Sequence, residues 1–140
     1  MYLLDTNILS ELRKAKSQKP HKALLEWVSG LPESSFFISV ISVLEIETGI
    51  LLVERRDTQQ GLILRRWLEE HVLPTFENRT LPIDTTIAKR CAPLHVPNPC
   101  SDRDALIAAT ALTHGLIVVT RNVADFEPTG VAIINPWDFK

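Results

Sequence analysis

The sequence predicts an α/β fold of three layers, α/β/α, built on a central parallel sheet of four or five strands. Two observations carry this. Short apolar runs alternate with helical patterns along all 140 residues. The runs, such as Leu116 to Val119 and Val131 to Ile134, are apolar at consecutive positions rather than at alternate ones. Strands buried on both faces read this way, and all-parallel sheets are the ones covered on both faces.

The elements follow in order. Tyr2-Leu3-Leu4 is a short strand ending at Asp5, and a helix follows from about Thr6 to Lys14. Lys16 to Pro20 is a polar break. Leu24, Leu25, Trp27 and Val28 mark a second helix that closes near Gly30 and Pro32. Phe36-Phe37-Ile38 is the second strand, and Ser39 and Ser42 are both candidate caps for the helix that carries Glu45 towards Arg56. Another helix covers about Thr58 to Val72, with Leu62, Leu64, Trp67 and Leu68 as its apolar side. Thr80 to Ile83 reads as an edge strand, because Pro82 has no N–H to give a ladder. Asp84 caps the next helix. The prolines at 93, 97 and 99 make His95 to Cys100 a loop. A strong helix then runs from Ser101 or Asp102 to about His114, ended by Gly115. After the strand Leu116 to Val119 the chain turns at Thr120-Arg121-Asn122, and Val131 to Ile134 is the last strand, stopped by Asn135-Pro136.

Composition sets the bounds. A chain of this length fits one domain, spanning 1–140, and 45% hydrophobic with 23% charged residues is ordinary for a soluble globular protein. The most apolar run, Phe36 to Leu44, is broken by two serines and is far short of the roughly 20 residues that cross a bilayer. The start lacks a basic region and meets an acid at Asp5, so no secretory signal is read and a cytoplasmic location is expected. Cys91, His95 and Cys100 spell Cys-x3-His-x4-Cys, but no fourth zinc ligand follows at a usual spacing. Cys91 therefore reads as a small core residue. The net charge of −2 argues mildly against a nucleic-acid partner, yet the cations are uneven. Arg13, Lys14, Lys16, Lys19 and Lys22 crowd one segment, and Arg55, Arg56, Arg65 and Arg66 form two later pairs.

In open α/β sheets the functional crevice lies at the carboxyl ends of the strands. Asp5 stands immediately after the first strand, Glu45 two turns into the helix after the second, and Asp104 in the first turn of the helix before the fourth. Asn122 and Asp125 follow that fourth strand. Carboxylates gathered at one edge repel unless a cation or proton compensates. Hard oxygen ligands with no His or Cys among them suit Mg²⁺ or Mn²⁺ rather than zinc. Such ions activate water and stabilise the oxyanions of an in-line phosphoryl displacement, so metal-assisted phosphodiester cleavage is the chemistry to expect. Each acid also has a plainer reading. Asp5 serves equally as a helix cap, Glu45 as a helix-face acid, and Asp104 as a first-turn charge on the helix dipole. Glu47 and Asp102 compete with Glu45 and Asp104; residues two apart on a helix face different directions, and spacing does not choose between them.

The opening Leu4-Asp5-Thr6-Asn7, the helix start Ser39-x5-Glu45, Asp104-Ala-Leu-Ile-Ala-Ala-Thr-Ala111, and Val119-Thr-Arg-Asn122-x2-Asp125-Phe126 resemble the PIN-domain family. The ending Gly130-Val-x-Ile-Ile-Asn-Pro-Trp137 is similar to its bacterial toxin branch, the VapC-like and FitB-like proteins. The resemblance implies a PIN-like sheet and Mg²⁺- or Mn²⁺-dependent RNA cleavage. It also implies a homodimer and inhibition by a co-expressed antitoxin protein. It assigns Asp5, Glu45 and Asp104 as the metal-holding acids and returns Glu47 and Asp102 to the surface. Thr6 matches the hydroxyl often found beside the first acid, and Asn7 the residue thought to orient it. Asn122 departs from the pattern, since many members carry Asp there; Asn122 then offers a carbonyl oxygen, or Asp125 supplies the missing charge. Arg13, Lys14 and Arg121 are expected as local phosphate contacts.

Two other functions compete. A phosphatase using Asp5 as nucleophile would need a second Asp two residues on, where Asn7 stands. A catalytically inactive binding module would use the acids only to dock a basic partner segment.

Overall fold

The computed structural model describes residues 1–14 and 21–138; the polar break expected at Lys16 to Pro20 lies outside the described residues. Five parallel strands run in the order β3-β2-β1-β4-β5. They are β1 (Tyr2–Leu4), β2 (Phe36–Ser39), β3 (Thr80–Leu81), β4 (Ile117–Val119) and β5 (Ile133–Ile134). β1 is central, with Leu3 in register with Phe37 on one side and Val118 on the other. β3 is an edge strand, as expected, but is shorter than the run Thr80 to Ile83 and stops at Leu81, before Pro82.

Helices cover both faces, and the side-chain alternation of the strands divides the core accordingly. Leu4 and Val119 point into one layer with Ile8, Leu24, Ile38, Ile46 and Leu68. Leu3 and Val118 point into the other with Ile107, Ala108 and Phe126. α1 (Thr6–Arg13), α2 (Lys22–Ser29), α3 (Val40–Arg56) and α4 (Thr58–Trp67) contribute to the first layer. α6 (Thr85–Cys91), α7 (Asp102–His114) and α8 (Val123–Phe126) contribute to the second. α4 passes through a wide π turn, Leu68–Val72, before the single turn α5 (Leu73–Thr75). Leu62 and Leu64 stand two residues apart, about 200° around a helix, so they do not share a face. Leu68 and Val72 are buried, while Leu62, expected on the apolar side, is 51% exposed.

Local caps fix the helix starts that matter for the site. Asp5 accepts from the Thr6 N–H, Ser39 from the Ile41 N–H and Asp84 from the Ile87 N–H. Ser42, the other candidate cap, is fully buried and makes no cap bond. Gly115 ends α7 at φ +67°, a left-handed conformation that a side chain would oppose.

Candidate active site

Four segments at the carboxyl edge of the sheet contribute side chains to one cleft of about 450 Å³. Asp5 comes from the end of β1, Glu45 from α3 after β2, Asp104 from the first turn of α7, and Asn122 from the turn after β4. Asp125, on α8, is exposed beside them, and its charge bears on both Asp5 and Asp104.

Asp5 is 5% exposed and held from three sides. The Thr6 N–H donates to Oδ1 at 2.8 Å; the Thr120 hydroxyl and the Asn7 amide donate to Oδ2 at 2.8 and 3.2 Å. The Asp5 N–H donates to the Val119 carbonyl at 2.9 Å, which ties the end of β1 to the end of β4. Thr120 is the hub of this network. Its hydroxyl also accepts from the Asn7 amide at 3.2 Å and from the Asn122 N–H at 3.0 Å. Glu45 is oriented by the Thr6 hydroxyl, which donates to Oε1 at 2.8 Å and lies 2.9 Å from that of Ser42. The Arg103 guanidinium stands 3.8 Å from Oε2.

The neighbours of these acids face elsewhere. Glu47 accepts from Arg65 at 2.6 Å, across the α3–α4 contact. Asp102 is 92% exposed at its side chain and lies 3.6 Å from His95 Nε2. Of the three expected phosphate contacts only Arg121 lines the cleft. Arg13 instead packs over Trp67, 5.9 Å from the ring centre, beside a separate apolar groove, and Lys14 pairs with Glu11 at 3.1 Å. An aliphatic stem on an apolar face and a nearby carboxylate draw these two side chains away. Arg65 is likewise engaged, by Glu47 and Glu54.

Charge is concentrated where it is poorly solvated. Burial, then the charges of Asp5, Asp125 and Glu45, push Asp104 up to about 6; a hydrogen bond from Ser101 offsets only part of this. Burial also raises Asp5, helped by Glu45 and Asp125, against the hydrogen bonds from Thr120 and Thr6 that favour its charged form. Such a set of hard oxygen donors, with neither thiol nor imidazole lining the cleft, fits a hard divalent cation that would relieve the repulsion. Among the described residues no three His, Cys, Asp or Glu side chains close on one point.

The second cluster flagged in the sequence is assembled differently. Cys91 Sγ lies 3.8 Å from His95 Nε2, and Cys100 Sγ 3.7 Å from Nδ1. The thiols face opposite ring nitrogens, whereas one ion takes one nitrogen of an imidazole, so the three do not share a centre. Cys91 is a core residue, buried with Ile87, Ala105 and Ala109.

Reading along the chain missed Thr120, Ser42, Arg103 and Trp137 as parts of the site. Thr120 had one signal, a polar residue directly after a fully apolar strand, but its target lies on a strand 115 residues away.

The family model described as PIN domain matches residues 2–128. A "VapC ribonuclease Y4jK" of Sinorhizobium fredii is 36% identical, with 99% of each chain covered. A solved structure titled "FitAcB from Neisseria gonorrhoeae" superposes with a TM-score of 0.88 at 32% identity, covering 99% of this chain and 100% of that one. A chain of a structure titled "Toxin-antitoxin complex from Klebsiella pneumoniae" matches with a TM-score of 0.65 at 27% identity, covering 97% of this chain and 98% of that one.

Proposed function

Because the chain belongs to the PIN domain family, we propose that it is an endoribonuclease dependent on Mg²⁺ or Mn²⁺, the toxin of a type II toxin–antitoxin module, with residues 1–140 acting as one PIN domain. The observation that carries the chemistry is the cleft lined by Asp5, Glu45 and Asp104, two of them with their carboxyls pushed up by burial and by the neighbouring acids. The relative named a ribonuclease and the match to a toxin–antitoxin complex support the biological role.

Asp5, Glu45 and Asp104 are the residues that would hold the ion, with Asn122 or Asp125 completing the set. When bound, a divalent ion lowers the pKa of a water and stabilises the oxyanions of an in-line phosphoryl displacement. The protein's part is preorganisation. Thr120 and Asn7 orient the Asp5 carboxylate, and Thr6 orients that of Glu45. At 5% exposure, the Asp5 charge is poorly screened by water.

The antitoxin, RNA and a second copy of the chain are the partners proposed. An acidic cleft is a counter-charge for an inserted Arg or Lys of an antitoxin, which would exclude metal and RNA together. Exposed Leu44, Leu51 and Leu52 on α3, with Leu62 and Ile63 on the adjoining α4, support a homodimer, since neighbouring exposed apolar residues mark association surfaces. Among the described residues no helix is long and apolar enough to cross a membrane, which accords with the proposed cytoplasmic location.

The purified protein should cut RNA in Mg²⁺ or Mn²⁺ and lose that activity in excess EDTA, regaining it when metal is restored. Expression alone should arrest growth, and the co-expressed partner should relieve the arrest. Full cleavage in EDTA overturns the metal reading; harmless accumulation of folded protein overturns the toxin reading.

The choice between Asn122 and Asp125 has its own test. We favour Asp125, because its charge already acts on Asp5 and Asp104. On that basis Asp125→Ala lowers Mn²⁺ affinity by about 10- to 100-fold, the usual cost of losing a supporting ligand, and Asn122→Asp adds little. Calorimetric titration separates the cases: a large gain from Asn122→Asp with no loss from Asp125→Ala would reverse the assignment. Indifference to both would leave Asp5, Glu45 and Asp104 holding the ion alone.

A further inference from the structure

The carboxylates account for the floor of the cleft; its wall carries a different chemistry. Among the described residues lining the cleft Arg121 is the one cation, and it stands beside Trp137, the one aromatic ring there. The Arg121 guanidinium carbon lies 5.0 Å from the Trp137 ring centre, within reach of a cation–π interaction.

Both partners are set in place. Trp137 is half-buried, packed against the core cluster that includes Leu24 and Trp27, and its backbone N–H donates to Asn135 Oδ1 at 3.0 Å. The His21 ring also lies near it, 5.9 Å away and tilted by 50°. Arg121 is exposed, but its N–H donates to Asn7 Oδ1 at 3.3 Å, and Asn7 donates to Asp5. One asparagine therefore couples the backbone of the stacked cation to the first carboxylate. Glu11, whose carboxyl is lowered in part by the charge of Arg121, is paired with Lys14, and among the described residues no carboxylate forms an ion pair with Arg121.

A phosphate contact needs only the guanidinium. It gains nothing from an indole beneath the cation, and an apolar ring in an acidic cleft is wetted at a cost. A nucleobase uses both, because a base stacks on the planar guanidinium and on the ring edge while the N–H groups reach the adjoining phosphate. In an A-form duplex the base faces are already covered by their neighbours, so such a platform takes only a base that is splayed out.

We propose that Arg121 and Trp137 form the subsite that receives the nucleobase next to the phosphodiester held over Asp5 and Asp104. This rests on the ribonuclease reading and names the two residues of this chain that meet the base.

The test measures binding rather than cleavage. In the Asp104→Asn background, with Mn²⁺ present, fluorescein-labelled oligoadenylate, oligouridylate and a self-complementary RNA duplex are titrated and followed by anisotropy. Trp137→Ala should weaken single-strand binding by about 5- to 150-fold, the loss expected for one base stack. Arg121→Lys, at an exposed position that does not endanger folding, keeps the charge but not the plane. It should weaken single strands while leaving duplex binding unchanged. Trp137→Phe, which retains a ring, should fall between parent and Trp137→Ala, and RNA should quench less tryptophan fluorescence in it than in the parent. Single-strand affinity unchanged in both Arg121→Lys and Trp137→Phe overturns the subsite, even if the unmutated protein cuts RNA. Conversely, loss of single-strand affinity in these variants from a protein that cuts no RNA in Mg²⁺ or Mn²⁺ upholds the subsite and overturns the nuclease reading.

Discussion

Asp104→Asn should remove RNA cleavage, by at least about 10²- to 10³-fold, the loss that follows removal of one preorganised electrostatic group. Asp102→Asn, two residues away, should leave cleavage within a few-fold. The contrast follows from direction: Asp104 faces the cleft with Asp5 and Glu45, whereas Asp102 is 92% exposed and turned towards His95. Equal losses in a steady-state assay would mean that the wrong neighbour has been placed in the site. Stability moves the other way. The Asp104 carboxyl, raised from 3.8 to about 6, disfavours its charged form in the folded state. Metal-free protein therefore carries a folding penalty above about pH 6, and the penalty disappears as pH falls towards 3.8. Without metal, the melting temperature should rise, or fall less steeply, between pH 7 and pH 5 in the parent than in Asp104→Asn. With metal the order inverts, since ion binding needs the carboxylate and weakens below about pH 6. Melting curves of both proteins, with and without Mn²⁺, check the sign, and an Asp104→Asn variant less stable than the parent without metal at neutral pH would refute it.

Phe126→Ala should cost about 3–5 kcal/mol, the range for deleting a fully buried aromatic ring. At this chain length that lowers the melting temperature by roughly 10–20 °C. Phe126 is 0% exposed and packs with Ile107, Ala108 and Val118 beneath the turn that carries Asn122 and Asp125. The loss should therefore reach the cleft as well: Mn²⁺ affinity should drop in the folded variant, as it would in Asp125→Ala. Val96→Ala, at a residue 74% exposed, is the control and should change neither quantity. Thermal denaturation decides the first part, and a Phe126→Ala protein that melts within a few degrees of the parent would show that the layer collapses to fill the gap.

What the sequence by itself determined was local. Consecutive apolar residues at Leu116 to Val119 and Val131 to Ile134, together with caps at Ser39 and Asp84, are sufficient to predict parallel strands between helices. β4 and β5 lie inside those runs. Asp5, Asn122 and Asp125 could be placed at strand ends for the same reason, since strand termini are written in the chain itself. The orientation of Glu45 rather than Glu47 came from resemblance, because a helix turns about 100° per residue and spacing does not tell which side meets the sheet.

Only the tertiary structure decided the partners. Thr120 reaches Asp5 because β4 lies beside β1 in the sheet order, a fact no local pattern contains. Ser42 looked like a cap and is instead buried against Thr6, once α1 and α3 pack on the same layer. Arg13 left the expected phosphate contacts because Trp67, distant in sequence, offers its ring. Trp137 entered the cleft because the chain returns past β5 to the edge where Arg121 leaves β4. Hydrogen bonds and stacking depend on separations of a few ångströms between groups far apart in the chain, so they exist only after the strands have found their order.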